Sequence, residues 1–224
     1  MAKHKLQRFA ENQSFPNVIE PRLPYPPIGF KYRGRWDADH FGNNNPIVLE
    51  LGCGRGEYTI ALAKKYPEKN FIGVDIKGAR LWRGAKTGIE ENIPNAAFLR
   101  VMIDQIAYYF DENEVSEIWI TFPDPQPQIS REKKRLTSPN FINKYLRFLK
   151  PDSVIHLKTD NLPLYQYTLE VANQMNYTIL QSTDDLYNGE ITDDILEVKT
   201  TYEKIFMRKG FKICYLKFSV NPAI

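Results

Sequence analysis

The sequence predicts an α/β protein built on a doubly wound, mostly parallel sheet that ends in an antiparallel hairpin. Three observations support this prediction. Short, mainly apolar runs recur along the chain, as expected of strands buried on both faces of a parallel sheet. Stretches with helical spacing of apolar residues alternate with these runs. The last two predicted strands have no clear helix between them, which indicates a terminal hairpin.

The predicted elements begin with the strand Ile47–Leu51, which ends at a glycine. Later strands are predicted at 71–75, 98–101, 117–122 and 153–157, and helices at 58–65, 78–91, 138–149 and 162–175. Ser138 and Pro139 supply an N-cap and a first-turn proline for the third helix. Residues 177–181 and 211–219 form the predicted hairpin strands, and the acidic stretch from Asp184 to Glu197 is predicted to be a solvated loop that folds over the site.

The composition is that of one ordinary domain: 224 residues, 42% hydrophobic and 25% charged. No apolar run is long enough to span a bilayer, and the N-terminus lacks the apolar centre of a secretory signal, so we expect a cytoplasmic protein. The two cysteines, Cys53 and Cys214, lie far apart and outside any Cys/His cluster. The sequence therefore predicts neither a disulfide nor a metal site.

Residues 1–45 are predicted to form a basic, irregular arm ahead of a single domain at 46–224. Pro, Gly and Asn are frequent from residue 13 to residue 46. Residues 1–36 hold 7 of the 30 Lys and Arg but 2 of the 27 Asp and Glu, which concentrates the positive charge there. Such an arm suits a phosphate-rich partner. Composition alone supports a solvated tail about equally.

A glycine-rich loop, Glu50-Leu51-Gly52-Cys53-Gly54-Arg55-Gly56, stands where the first strand gives way to a helix. Glycines at this place let the backbone turn tightly and approach a ligand. Glu57 occupies a position where a carboxylate would meet a pyrophosphate, which disfavours a dinucleotide. Asp75, at the end of the next strand, is placed to accept hydrogen bonds from both hydroxyls of a ribose. A small adenosyl cofactor therefore fits this loop.

A second loop, 122–128, follows the fourth predicted strand and thus faces the same edge of the sheet. Prolines on both sides restrict the backbone of Asp124. A basic run comes directly after it, with Arg131, Lys133, Lys134 and Arg135 set against one glutamate. Such a run is more often an exposed charged turn, but its position beside Asp124 favours contacts to a phosphate backbone.

Together with Thr159-Asp160 and Thr200-Thr201-Tyr202-Glu203, these motifs resemble the bacterial tRNA (guanine-N7-)-methyltransferase family, whose members have the Rossmann-like class I methyltransferase fold. The resemblance runs from about Phe9 to Phe218. The family's loop reads Pro-Asp-Pro-Trp-Pro-Lys, then Arg-His-x-Lys-Arg-Arg. Pro123, Asp124, Pro125, Pro127, Lys133 and Arg135 match it, whereas Gln126, Gln128, Ser130 and Arg131 replace Trp, Lys, Arg and His, and Lys134 replaces Arg.

The resemblance implies methyl transfer from S-adenosylmethionine to N7 of a guanosine in tRNA, at position 46 of the variable loop. We expect tRNA as the partner, no metal and no membrane, and a monomer or homodimer. The predicted cofactor-binding residues are Glu50, Gly52, Gly54, Gly56, Asp75, Asp104 and Asp124. The predicted substrate-binding residues are Gln128, Arg131, Lys133, Lys134, Arg135, Asp160, Thr200, Thr201, Tyr202 and Glu203.

Guanine N7 carries a lone pair and no proton, so the reaction needs alignment more than a strong general base. Asp124 is the predicted catalytic residue, because a carboxylate stabilises the positive charge that develops on the ring. Asp160 or Glu203 would accept the paired N1–H and N2–H donors of guanine, which adenine lacks. The base is expected to leave its stack. Tyr202 and Trp82 offer stacking faces, although packing is the commoner role of each.

Two alternatives stay open. The first is an exocyclic amino methyltransferase, whose Asp-Pro-Pro-Tyr loop the Pro-Asp-Pro segment partly matches. Gln126 stands where that chemistry requires an aromatic residue. The second is a catalytically silent RNA-binding subunit, which the intact glycine loop and Asp75 oppose. No histidine has a partner at a recognisable triad motif, so a hydrolase has no support.

Overall fold

The computed structural model describes residues 2–22, 24–189 and 193–222. They form one mixed sheet flanked by helices. The strands are β1 Val18–Ile19, β2 Ile47–Leu51, β3 Asn70–Val74, β4 Ala96–Leu99, β5 Val115–Thr121, β6 Leu149–Thr159, β7 Tyr177–Thr183 and β8 Cys214–Pro222. The helices are α1 Ala2–Ser14, α2 Glu57–Lys65, α3 Gly78–Glu90, α4 Pro139–Tyr145, α5 Leu162–Gln174 and α6 Thr201–Arg208.

The sheet order is β1-β4-β3-β2-β5-β6-β8-β7, which confirms a doubly wound α/β fold. All pairs from β1 to β6 are parallel, and β8 runs antiparallel to both β6 and β7. Every residue of β2 and β3 is buried, as the apolar runs predicted. From β2 the chain adds β3 and β4 on one side of the sheet and then β5 and β6 on the other side, so the strand order reverses at β2. The loops after these strands therefore diverge and open a crevice at the carboxyl edge of the sheet.

The N-terminal segment differs from the irregular arm expected at 1–45. Helix α1 occupies Ala2–Ser14 and packs on α3, where the Asn12 side chain donates to the Gly78 carbonyl at 2.9 Å and Trp82 Nε1 donates to Glu11 Oε2 at 2.7 Å. Strand β1 then pairs with β4 at the sheet edge. The segment is thus ordered by contacts to residues far along the chain, which its own Pro, Gly and Asn content does not reveal.

The connection between β7 and β8 also differs from the expectation of no clear helix. A short helical turn at Asp194–Glu197 precedes α6, and α6 begins with a capping box in which Thr200 and Glu203 each accept the other's backbone N–H. Leu186, Ile195 and Leu196 are buried, so the acidic stretch is anchored in the core rather than wholly solvated. Residues 190–192 of that stretch lie outside the described part of the chain.

Helix α4 ends at Tyr145, before the predicted limit, because Leu149 already begins β6. In the part of the chain that the structure describes, no helix is long and apolar enough to cross a bilayer. Within the same residues, no cluster of three or more His, Cys, Asp or Glu side chains is suited to a metal ion.

Candidate functional site

A cavity of about 420 Å³ opens at the carboxyl ends of β2, β5 and β6, where the sheet order predicts a crevice. It brings together loops that are distant in the sequence: the glycine loop, the loop after β5, the end of β6 and the start of α6. Of the predicted site residues it is lined by Glu50, Gly52, Gly54, Asp75, Asp124, Asp160, Thr200 and Tyr202.

The glycine loop adopts a backbone that only glycine accommodates easily. Gly52, Gly54 and Gly56 have φ angles of +78°, +55° and +68°. The Gly54 N–H donates to Asp75 Oδ2 at 3.0 Å, and the other oxygen of Asp75 accepts from the Lys77 N–H at 2.8 Å. Gly56 does not line the cavity, but a Cβ there would lie 2.4 Å from the Phe98 ring. Gly56 therefore lets the loop pack against β4.

Glu50 lies at the floor of the cavity and is almost completely buried. Its carboxylate accepts hydrogen bonds from the Thr59 N–H at 2.8 Å, from the Thr59 hydroxyl and from the Thr121 hydroxyl at 2.6 Å. Burial raises the pKa of Glu50 to about 7 in spite of these donors. A bound cation at this floor would favour the ionised carboxylate.

The loop after β5 holds Asp124 at the cavity wall, with its side chain exposed. Phe122 and Gln126 have positive φ angles of +49° and +45°. The Gln126 N–H donates to Asp124 Oδ1 at 3.1 Å, and the Phe122 N–H donates to the Lys158 carbonyl at 2.8 Å. Two residues outside the ordinary backbone regions thus turn the loop so that Asp124 faces the crevice.

Asp160 follows the last residue of β6 and lines the same cavity, half-buried. Burial raises the pKa of this carboxyl group. The turn behind it is held by the Thr159 hydroxyl, which accepts the Asn161 N–H at 3.1 Å. The structure therefore places Asp160 and Asp124 on neighbouring strand ends around one space.

The four predicted residues 200–203 divide into two pairs. Thr200 and Tyr202 line the cavity, and Tyr202 is 42% exposed. Thr201 instead donates from its N–H and its hydroxyl to Glu57 at the start of α2. Glu203 is fully buried and forms an ion pair with Lys158 at 2.9 Å. In this structure its carboxylate is therefore engaged inside the protein, and the direct contact of Glu203 to guanine stays a prediction.

Lys158 is a residue of this region that the sequence analysis missed. Its ammonium group also donates to the carbonyls of Leu196 and Val198, at 2.7 and 3.2 Å. Burial lowers the pKa of Lys158, and Glu203 opposes that shift. Lys158 lies two residues before Asp160, and its contacts connect residues 196–203 to β6. Its sequence signal is a lysine directly after the predicted strand 153–157, where continued burial would require an acidic partner.

The remaining predicted residues lie outside the cavity. Gln128, Arg131, Lys133 and Lys134 are exposed around the helical turn Ile129–Lys134, and Arg135 packs its guanidinium 4.2 Å from the Tyr167 ring. Asp104 is exposed, pairs with Lys144 at 2.8 Å and does not line the cavity, and its cofactor contact stays a prediction. Trp82 is held in the interface between α1 and α3, a packing role.

The charges of the site are arranged by sign. Five carboxylates, of Glu50, Glu57, Asp75, Asp124 and Asp160, line the cavity, whereas basic side chains lie around its mouth. Arg55 and Arg80 lie on one side of the mouth, and the 131–135 run follows the loop on the other side. An acidic centre suits a cationic or hydrogen-bond-donating ligand, and a basic rim suits phosphates.

Comparison with known proteins identifies close relatives. A family described as "Putative methyltransferase" matches residues 44–216. The tRNA (guanine-N(7)-)-methyltransferase of Christiangramia forsetii is 48% identical over 98% of this chain and 99% of the relative. The protein of the same name from Cytophaga hutchinsonii is 42% identical over 99% of this chain and 100% of its own length.

Solved structures show the same fold at low identity. The 16S rRNA methyltransferase KamB superimposes with a TM-score of 0.59 at 14% identity, covering 80% of this chain and 89% of its own. A SAM-dependent methyltransferase from Aquifex aeolicus superimposes with a TM-score of 0.53 at 12% identity, covering 81% and 86%. These likenesses confirm the predicted Rossmann-like class I methyltransferase fold.

Proposed function

The chain belongs to the tRNA (guanine-N(7)-)-methyltransferase family, and on that premise we propose that it methylates N7 of a guanosine in tRNA, at position 46 of the variable loop. The methyl donor is S-adenosylmethionine. The observation that carries the proposal is the single cavity in which a glycine loop, a ribose-type aspartate and two further aspartates meet inside a basic rim.

The residues of the cavity fit an adenosyl sulfonium cofactor. The left-handed glycines leave the loop surface without side chains where a ligand approaches the strand ends, and Asp75 lies beside them as an acceptor for ribose hydroxyls. Glu50 supplies negative charge at the floor for a cationic group. When bound, the cofactor supplies an electrophilic methyl group. Glu57, which follows the loop and lines the cavity, disfavours a pyrophosphate at the start of α2.

The substrate half of the cavity matches the needs of guanine. Asp160 accepts the N1–H and N2–H donors, which selects guanine over adenine and orients the ring. Asp124 stabilises the positive charge that N7 methylation leaves on the ring. Neither residue has to remove a proton from N7, so their contribution is to position the base and to offset the charge. Tyr202, exposed at the mouth, offers a stacking face for a base drawn from its stack.

The experiment is to incubate the protein with unmodified tRNA and isotope-labelled S-adenosylmethionine, digest the RNA, and identify the methylated nucleoside by mass spectrometry. We expect N7-methylguanosine. A matched tRNA that carries adenosine at position 46 should lose the modification while keeping its fold. An exocyclic methylated nucleoside, or an unchanged yield from the position-46 control tRNA, would contradict the proposal.

Isothermal titration with the cofactor separates the enzyme from a silent RNA-binding subunit. We expect saturable binding to the wild-type protein, and much weaker binding to an Asp75→Ala variant. A protein that binds tRNA but not the cofactor would be the silent subunit.

A further inference from the structure

A second basic surface flanks the cavity on the side away from the substrate loop. It consists of Arg55 in the glycine loop, Lys77, Arg80 and Arg83 at the start of α3, and Lys5 and Arg8 on α1; we call it the α3 basic surface. All six side chains are exposed. Lys77, Arg80 and Arg83 follow β3, whereas the 131–135 run follows β5. The α3 residues and that run therefore lie on opposite sides of β2.

Helix geometry makes this surface continuous. Lys77, Arg80 and Arg83 are spaced three residues apart, so they lie on adjacent turns of one side of α3 and span about 9 Å along its axis. Helix α1 extends it, because Arg8 donates to the Ala79 carbonyl at 3.3 Å and stacks its guanidinium 4.7 Å from the Trp82 ring. The packing of α1 thus brings the basic N-terminal residues beside the site.

These cations lack the acidic partners that basic residues elsewhere in the protein have. Arg33 pairs with Asp111 at 3.1 Å, Lys69 with Glu117 at 2.9 Å and Arg100 with Glu20 at 3.2 Å. Among the residues that the structure describes, none of the six forms a carboxylate contact within 4.0 Å. Glu11, the acid of α1, accepts hydrogen bonds from Trp82 and Gln7 and lies 4.0 Å from Lys86, and it interacts with Arg8 only at longer range. Clustered unpaired cations repel one another and favour a polyanion.

We propose that the α3 basic surface binds phosphates of the tRNA backbone next to the target nucleotide, so that the RNA crosses the cavity mouth between this surface and the 131–135 run. The inference rests on the proposed function and extends it to the other side of the site. Arg80 connects the two: it lines the cavity, and its guanidinium lies 5.9 Å from the ring of Tyr202. Contacts of this kind set the position of the RNA without reading its sequence.

The test uses the full chain with Lys77→Gln and Arg83→Gln combined, because neither side chain lines the cavity. The measurement is the Kd for tRNA over a series of salt concentrations. We expect binding weaker by about tenfold near 0.1 M salt, and a log Kd against log salt slope smaller by about two, because each lost phosphate contact removes about one unit. The Kd for the cofactor should stay within twofold of wild type.

The matched control is Arg147→Gln with Lys150→Gln, which removes two exposed cations near the amino end of β6, at the opposite edge of the sheet. This control should bind tRNA as the wild type does. A slope that falls equally in both double variants, or in neither, would overturn the proposed surface.

A charge-preserving variant, Lys77→Arg with Arg83→Lys, guards against misfolding as an explanation. Wild-type tRNA affinity in this variant supports an electrostatic contact, and a loss as large as that of the Gln variant overturns it. Failure of the proposed function shows differently: the wild-type protein would then bind tRNA with the expected salt slope but leave its guanosine N7 unmethylated.

Discussion

At the scale of single residues, guanine selection is proposed to depend on the side chain of Asp160. It lines the cavity, and burial raises its pKa, so a substrate that donates two hydrogen bonds satisfies a partly desolvated carboxylate. An amide at the same place offers one acceptor and presents a donor to guanine's own donors. Replacing Asp160 by asparagine should therefore weaken the recognition of guanine and leave the binding of the cofactor unchanged.

We predict that Asp160→Asn lowers kcat/KM for tRNA by about 10- to 100-fold, the range for a charged hydrogen bond. The Kd for S-adenosylmethionine, measured by isothermal titration, should stay within twofold. Asp184→Asn, which changes an exposed aspartate outside the cavity, is the control and should leave both quantities unchanged. Equal losses of tRNA turnover and cofactor binding in Asp160→Asn would refute this role.

The raised pKa of Glu50 predicts that the stability of the folded protein depends on pH. Its pKa is about 7 in the folded protein against an ordinary value of 4.5, so between these values the folded state holds a proton that the unfolded state has released. The stability of the cofactor-free protein should therefore fall as pH rises from 5 to 7.5, by up to about 3 kcal/mol from this residue. Urea unfolding at both pH values measures it. Glu50→Gln should flatten the dependence, and an unchanged slope would argue against it.

Gly56 and Gly42 form a matched pair because their φ angles are +68° and +69°. An alanine Cβ at Gly42 meets nothing within 4 Å, whereas at Gly56 it would meet Phe98 at 2.4 Å. Gly42→Ala should cost about 1–2 kcal/mol for the left-handed backbone, and Gly56→Ala about 1–3 kcal/mol more from overpacking. Denaturant unfolding gives both values. Similar costs for the two variants would show that the loop does not need its close approach to β4.

At the scale of elements, α6 depends on the ion pair between Lys158 and Glu203. Both side chains are fully buried, and the same lysine binds the carbonyls of Leu196 and Val198. The capping box shared by Thr200 and Glu203 then fixes the first turn of α6. The buried ion pair therefore helps to hold Thr200 and Tyr202 in their positions at the cavity wall.

We predict that Lys158→Met destabilises the protein by about 3–5 kcal/mol, because it leaves the Glu203 carboxylate buried without its cation. Lys158→Met combined with Glu203→Met should cost less than the sum of the two single changes, since no unpaired charge is then left inside. Urea unfolding of the four proteins forms a double-mutant cycle. Additive costs would mean that the pair contributes nothing beyond packing.

At the scale of the whole molecule, the reversal of strand order at β2 determines where the candidate site lies. It places an acidic cavity at the centre of the carboxyl edge and separates two basic regions across its mouth. The net charge of +3 is modest, so attraction to RNA depends on this uneven distribution rather than on the total.

We therefore expect tRNA binding to weaken by about 100-fold or more between 50 and 200 mM salt, as several phosphate contacts require. Fluorescence anisotropy with labelled tRNA measures this dependence, and isothermal titration with the cofactor over the same salt range is the control, which should change little. A flat response for tRNA would contradict a footprint built on the basic rim.

The sequence could be interpreted furthest where function depends on neighbouring residues. The glycine loop, Asp75 and the loop of Asp124 were predicted with their strands, and the structure brings all three to one cavity. The sequence shows less where the surroundings of a side chain depend on distant partners. Glu203 matched a motif, yet its carboxylate faces Lys158, 45 positions away, and Asp104 pairs with Lys144. Helix α6 has a local sequence signal, the capping box formed by Thr200 and Glu203.

Local periodicity and residue type are enough to predict the alternation of strands and helices, the glycine backbone at the first turn, and which acidic and basic side chains the chain can offer to a ligand. The folded structure is needed to show which acids reach the cavity, which acids pair with a buried cation, and that α1 brings its basic residues to α3. These contacts depend on burial and on residues that the sheet order brings together. Their two members lie far apart in the sequence, so no local pattern shows them.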